Sequence, residues 1–197
     1  MICLGSASPR RHELLTQIGV QHFVRVADID ETPLLDEGAE IYVLRMALAK
    51  ARAVQKKLSA DEQTLVLGSD TAVVVDGEIL GKPRNKDDGL AMLQRLSGRG
   101  HHVLTSVAIV NEERESSRLS VNHVRFRQTS DAERLAYWQT GEPADKAGGY
   151  GIQGYAACFI EHLEGSFSAV MGLPLFETAQ LLHEFEYKIC EGWVTPG

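Results

Sequence analysis

Four apolar residues at the N-terminus, Met1-Ile2-Cys3-Leu4, are followed within a few positions by Ser8-Pro9, a pair suited to begin a helix. The aliphatic run reads as a buried strand, and Leu14, Leu15 and Ile18 give the following helix an apolar face. Ser8 is a natural N-cap, and Pro9 suits the first turn because its missing N–H is no loss there. That strand-to-helix join also carries Arg10 and Arg11. Backbone donors, the positive end of the helix dipole and two guanidinium forks together make a receptor for phosphates. An ordinary capped surface helix with two solvated arginines fits the same string equally well.

The alternation continues along the chain. Strands are expected over residues 2–5, 23–27, 65–69, 72–75, 78–80, 103–110, 119–126, 158–163 and 168–170, and helices over 10–18, 40–58, 86–96, 132–140 and 175–185. Asp76-Gly77 is a hairpin signal, since a type I′ turn needs positive φ at both positions. Residues 103–110 and 119–126, joined by a polar stretch over 111–117, read as a second hairpin. Helices mixed with antiparallel pairs predict an α/β protein whose mixed, twisted β-sheet has flanking helices. With 197 residues and no repeat, low-complexity tract or linker, a single domain over 1–197 is expected.

Composition excludes several classes. No run approaches the roughly 18 apolar residues of a membrane span, so no membrane partner is expected. The start lacks a basic segment followed by an apolar one, so no signal peptide is expected. Cys3, Cys158 and Cys190 are odd in number and far apart, which fits a reducing cytoplasm and neither a disulfide framework nor a zinc site. A net charge of −7 disfavours nucleic acid, whereas Arg and Lys gathered in short motifs suit a small polyanion. His101-His102, at the start of an expected strand, reads as structural.

Four stretches could carry chemistry. Leu67-Gly68-Ser69-Asp70-Thr71 ends an aliphatic strand with an acid, at the sheet edge where open α/β sheets place ligands. Asp70 there could take a proton from water, help hold a divalent cation, or merely open a turn. Gly81-Lys82-Pro83-Arg84 stiffens the backbone around a lysine. Asp28, Asp30 and Glu31 form an acid cluster that suits a metal or a solvated turn, and Lys50 lies on a helix rich in alanine and leucine. Finally, Asp145-Lys146-Ala147-Gly148-Gly149-Tyr150-Gly151-Ile152-Gln153-Gly154 has four glycines in seven residues. These let backbone approach a ligand and adopt positive φ, and Gln153 offers an acceptor and two donors to a nucleobase edge.

Taken in order, five strings resemble the Maf family of nucleotide pyrophosphatases. They are Ser6-Ala7-Ser8-Pro9-Arg10-Arg11, Gly68-Ser69-Asp70-Thr71, Gly81-Lys82-Pro83, the stretch from Asp145 to Gly154, and Val170-Met171-Gly172-Leu173-Pro174. The resemblance covers nearly the whole chain. It implies a mixed α/β fold with two lobes around a central cleft, similar to the inosine triphosphate pyrophosphatases. It also implies hydrolysis of a nucleoside triphosphate to the monophosphate and pyrophosphate with Mg²⁺ or Mn²⁺. Matched onto this sequence, Asp70 takes the general-base role. Ser6, Arg10, Arg11, Lys50, Thr71, Lys82, Lys146 and Gln153 fall on substrate-binding positions, and Glu31 joins Asp70 as a candidate metal ligand. Arg10, Thr71 and Gln153 resemble the branch acting on dTTP and UTP. Gly5 and Gly149 depart from the family's usual alanine and are expected only to loosen local backbone.

On this reading the basic groups gather the triphosphate and a water oriented by Asp70 attacks the α-phosphorus. Phosphoryl chemistry needs positioning and charge neutralisation more than covalent help, which suits a chain without an obvious Ser-His-Asp or Cys-His pair. Two other readings use the same cradle: a nucleotide-binding regulator of cell division without turnover, and a pyrophosphatase for modified purine triphosphates. A homodimer is usual for such a fold.

Overall fold

The computed structural model describes residues 1–26, 28–59, 62 and 64–193. Seven strands form one mixed sheet: β1 (Ile2–Leu4), β2 (His22–Val24), β3 (Val66–Val75), β4 (Glu78–Leu80), β5 (Gly100–Val110), β6 (Glu115–Phe126) and β7 (Ile160–Glu164). Their order is β2-β1-β3-β5-β6-β7, with β4 paired on β3. β1 runs parallel to β2 and β3, whereas β3–β4 and β6–β7 are antiparallel, so the expected mixed sheet is present. The helices are α1 (Pro9–Gln17), α2 (Ala39–Gln55), α3 (Lys86–Leu96), α4 (Asp131–Gln139), α5 (Phe167–Met171) and α6 (Leu175–Glu184). Among the described residues no helix is long and apolar enough to cross a membrane.

The chain divides into two compact units. The first comprises Met1–Asp70, Thr105–Ser120 and Gly172–Gly197, and the second Thr71–Leu104 and Val121–Met171. In the first, Cys3, Val66 and Val110 from the sheet pack against Ala51 and Val54 of α2. In the second, Leu93 and Leu96 of α3 and Tyr137 of α4 close on Val73, Val75, Val103, Val124 and Phe126. Local chemistry starts these helices: Asn85 caps α3 by accepting from the Asp88 N–H, and Ser130 with Glu133 forms a reciprocal capping box on α4.

Several expectations are corrected. The strands read over 65–69 and 72–75 are one continuous strand, β3, with Asp70 in its middle rather than at its end. An acid interrupts the apolar pattern there without breaking the backbone. Pairing with β1 ends at Leu67 and pairing with β4 begins at Val73, so Asp70 falls in the stretch between the two. Residues 168–170, read as a strand, form helix α5, opened by Ser166 Oγ accepting from the Ala169 N–H at 3.2 Å. Ser168-Ala169-Val170 is too short to show a period, so a serine cap decides. The strand read over 158–163 begins only at Ile160, because Tyr155–Phe159 is 3₁₀. The strand read over 23–27 ends at Val24, and Ala27 lies outside the described residues. Asp76 (φ 54°) and Gly77 (φ 78°) have the positive φ the hairpin requires.

Candidate active site

The site in the first unit starts from a glycine. A Cβ on Gly68 would run into the carbonyl oxygen of Ala47 and lie 2.9 Å from the Ala51 nitrogen, so α2 rests directly on β3. Small residues on both elements permit that approach. Lys50, between Ala47 and Ala51 on the helix, is thereby delivered to Asp70, which shares a strand face with Gly68. Lys50 Nζ lies 2.7 Å from Asp70 Oδ1 and 2.8 Å from Glu31 Oε1. The side chains of Lys50 and Asp70 are 15% and 10% exposed, whereas that of Glu31 is half-exposed. Burial pushes the Asp70 carboxyl above its ordinary range; the charges of Lys50 and Arg11 pull the other way, and burial prevails.

Helix α1 brings Arg11 into the same electrostatic environment. Its Nε donates to the Gly172 carbonyl at 2.8 Å and its Nη1 donates to Ser6 Oγ at 3.0 Å. Burial is the largest influence on the Arg11 guanidinium and disfavours its charge, and Asp70 is the first group to oppose that. Ser8 holds the N-cap position with Pro9 behind it, yet its side chain caps nothing. The organising hydroxyl is that of Ser6, which accepts from the Ser8 N–H at 3.2 Å as well as from Arg11. A serine two residues earlier mimics a backbone turn and so displaces the expected cap. Arg10 is half-buried, and its Nε is shielded from solvent with no hydrogen-bond partner.

The acid cluster separates. Asp30 Oδ1 accepts from the Thr32 N–H at 2.9 Å, closing a local turn, while Glu31 reaches Lys50. Among the described residues no three His, Cys, Asp or Glu side chains gather as a metal cluster. Gly172 was given no chemistry by its sequence. Its carbonyl takes the Arg11 Nε–H and lies 3.0 Å from Ser69 Oγ, a buried hydroxyl also 2.7 Å from the Ser106 carbonyl. A backbone acceptor has no side-chain signature, so only the fold reveals it.

The second unit holds the other expected residues. Thr71 follows Asp70 on β3 and is half-buried. Lys82 is exposed, in a string tied down by the Gly148 N–H donating to the Gly81 carbonyl at 3.0 Å. Lys146 turns into its own loop, donating to the Glu142 carbonyl at 2.6 Å and to Asp145 Oδ1 at 2.7 Å. Gln153 is exposed between buried Ile152 and half-buried Gly154. The glycines of this loop only partly serve as expected. Gly148 and Gly149 do take positive φ, which explains a glycine at 149. The bare side of Gly148, however, is filled by Val73, and that of Gly154 by the Glu142 carboxylate. Both make room for protein neighbours rather than for a ligand. His101 is structural: it is buried, its Nε2 lies 2.8 Å from the Tyr150 hydroxyl, and burial holds it down to about 3.

The seven-stranded mixed α/β fold is shared with the Staphylococcus aureus Ham1 protein, with a TM-score of 0.53 and 14% identity over 94% of this chain and 97% of that one. The chain belongs to the Maf-like protein family, whose pattern matches residues 1–185. A relative from Alkalilimnicola ehrlichii is 57% identical over 98% of this chain and 96% of its own length. Others from Saccharophagus degradans and Hahella chejuensis are 51% and 50% identical, covering 94% and 95% of this chain and 89% and 94% of theirs. All three are named dTTP/UTP pyrophosphatase.

Proposed function

We propose that this protein hydrolyses dTTP and UTP to the nucleoside monophosphate and pyrophosphate, with Asp70 as general base. The names of its relatives support the activity. The observation that carries the chemistry is Asp70 itself, buried on a strand, raised by that burial, and paired at 2.7 Å with Lys50. A carboxylate whose proton affinity is raised toward the working pH is a better base than a solvated one. Asp70 takes a proton from water, the water oxygen bonds to the α-phosphorus, and the bond to the bridging oxygen breaks to release pyrophosphate. The charge of Lys50 favours the ionised form of Asp70 and partly offsets its burial. Arg11, held by Ser6 and Gly172, receives phosphate oxygens with Arg10; in the second unit, which carries Thr71, Lys82 is offered to phosphate and Lys146 holds the loop that presents Gln153 to the base.

A divalent cation such as Mg²⁺ or Mn²⁺ takes oxygen ligands. Asp70 Oδ1 and Glu31 Oε1 fit one, because both already converge on a single cationic nitrogen at 2.7 and 2.8 Å. These two carboxylates would hold the ion, which when bound neutralises phosphate charge.

A pyrophosphate-release screen over natural and modified nucleoside triphosphates, with Mg²⁺ or Mn²⁺, tests the proposal. dTTP and UTP should lead. Binding without release would indicate a sensor, and faster release from a methylated guanine triphosphate would indicate a purine enzyme.

A further inference from the structure

Gln153 stands at the middle of a turn that hydrogen bonds close from both sides. The Gly151 N–H donates to the Tyr137 hydroxyl at 3.2 Å, and the Tyr155 N–H donates to Glu142 Oε2 at 2.9 Å. The Tyr137 hydroxyl in turn donates to Glu142 Oε1 at 2.7 Å. One Tyr–Glu pair therefore holds the chain two residues before Gln153 and two residues after it. Within the turn the Gly154 N–H reaches the Gly151 carbonyl at 3.1 Å.

The holder is rigid. Tyr137 is buried on α4, edge-on to Phe159, and burial followed by its bond to Glu142 raises its hydroxyl, which keeps it a donor. The Glu142 carboxylate fills the space beside Gly154 that any side chain there would need. Tyr150 and Ile152 are buried on the N-terminal side of Gln153, which anchors that flank, while Gln153 and Tyr155 are exposed. A recognition group fixed in this way loses little freedom on binding and keeps its donor and acceptor in register.

We infer that Tyr137 and Glu142 are positioning residues for base selectivity, holding the turn over 151–155 so that Gln153 meets a pyrimidine edge. The inference rests on the reading of Gln153 as the base-recognising group. Neither residue touches substrate; they act through the turn.

The test compares kcat/KM for UTP and CTP, with thermal unfolding, in Tyr137→Phe, Glu142→Gln, Gln153→Ala and the Tyr137→Phe/Gln153→Ala double variant. Tyr137→Phe should cut the UTP-to-CTP ratio by about tenfold, since small displacements of a recognising group are costly. Glu142→Gln, which keeps an acceptor for one of its two donors, should cut it less. The double variant should show no further fall beyond Gln153→Ala, as residues acting through one group are not additive. If Tyr137→Phe lowers stability and both activities together while the ratio stays at the wild-type value, the inference is overturned. Should Tyr137→Phe fail to fold, an unchanged ratio in Glu142→Gln overturns it equally. A collapsed ratio in Tyr137→Phe with an unchanged one in Gln153→Ala would uphold the positioning role and move the reading of the base to another group of the turn.

Discussion

Lys50 Nζ lies 2.7 Å from Asp70 Oδ1, joining helix α2 to strand β3 between the strand's pairings with β1 and β4. Burial disfavours the Asp70 charge, and the nearby Lys50 and Arg11 only partly offset it. A buried ion pair is weak evidence for stability, because desolvation can outweigh attraction.

Asp70→Asn keeps the shape of the side chain and removes its ability to take a proton. Turnover should fall by about 10²–10⁴-fold, the range ascribed to general-base loss. Pyrophosphate release with dTTP measures it, and calorimetric titration checks that the nucleotide still binds. Hydrolysis near the wild-type rate would remove Asp70 from the mechanism.

The same substitution should stabilise the protein at neutral pH. Asp70 is held above its ordinary 3.8, so the native state binds that proton more tightly than the unfolded chain. Its contribution is full below the unfolded value and is lost as pH rises through the folded one. An asparagine escapes that loss, so the advantage of Asp70→Asn should grow as pH rises through this window. Urea unfolding at about pH 4 and about pH 7 shows the trend; an advantage that shrinks with rising pH contradicts it.

Gly68→Ala should disturb the site without adding or removing a charge. The new methyl meets backbone of α2, which cannot rotate away, so the helix must shift and carry Lys50 with it. Overpacking of this kind costs about 1–3 kcal/mol. Gly81→Ala is the control, since a Cβ there meets nothing within 4 Å. Melting temperature and turnover should fall together in the first variant, and neither should move in the second.

Arg11→Lys should fail to replace arginine. The guanidinium uses Nε and Nη1 on two separate acceptors, and an ammonium cannot reproduce that fork. Lys82 is exposed, so Lys82→Ala should change stability by less than about 0.5 kcal/mol while raising KM. Full activity in Arg11→Lys would mean that charge alone suffices.

His101 should make the protein acid-sensitive. Burial holds it down to about 3, against 6.5 for a free imidazole. The stability it supports is present above pH 6.5 and is lost as pH falls toward 3. At about 1.4 kcal/mol per pH unit the full loss is on the order of 4–5 kcal/mol. His101→Gln should flatten the slope of unfolding free energy against pH across that interval, and an unchanged slope would place the acid sensitivity elsewhere.

Local chemistry was enough to place α3 over Lys86–Leu96 and β4 over Glu78–Leu80 from the residues alone. Asp76-Gly77, Pro9 and the apolar periods act through dihedral preferences within a few residues, and those are written in the chain. Arg11, Lys50 and Glu31, which lie around Asp70, were also named in advance, Arg11 within one of five short strings and the other two through the family resemblance that those strings carry. What those strings did not contain was the partnership of Lys50 with Glu31 and Asp70, the Gly172 carbonyl under Arg11, the replacement of Ser8 by Ser6, or the Tyr137–Glu142 brace around Gln153. Lys50 and Asp70 are 20 residues apart and Arg11 and Gly172 are 161. Such pairs form only when packing brings their elements to within a hydrogen bond, and at Gly68 that distance was set by the absence of a single methyl group, a fact that acquires meaning only once α2 lies on β3.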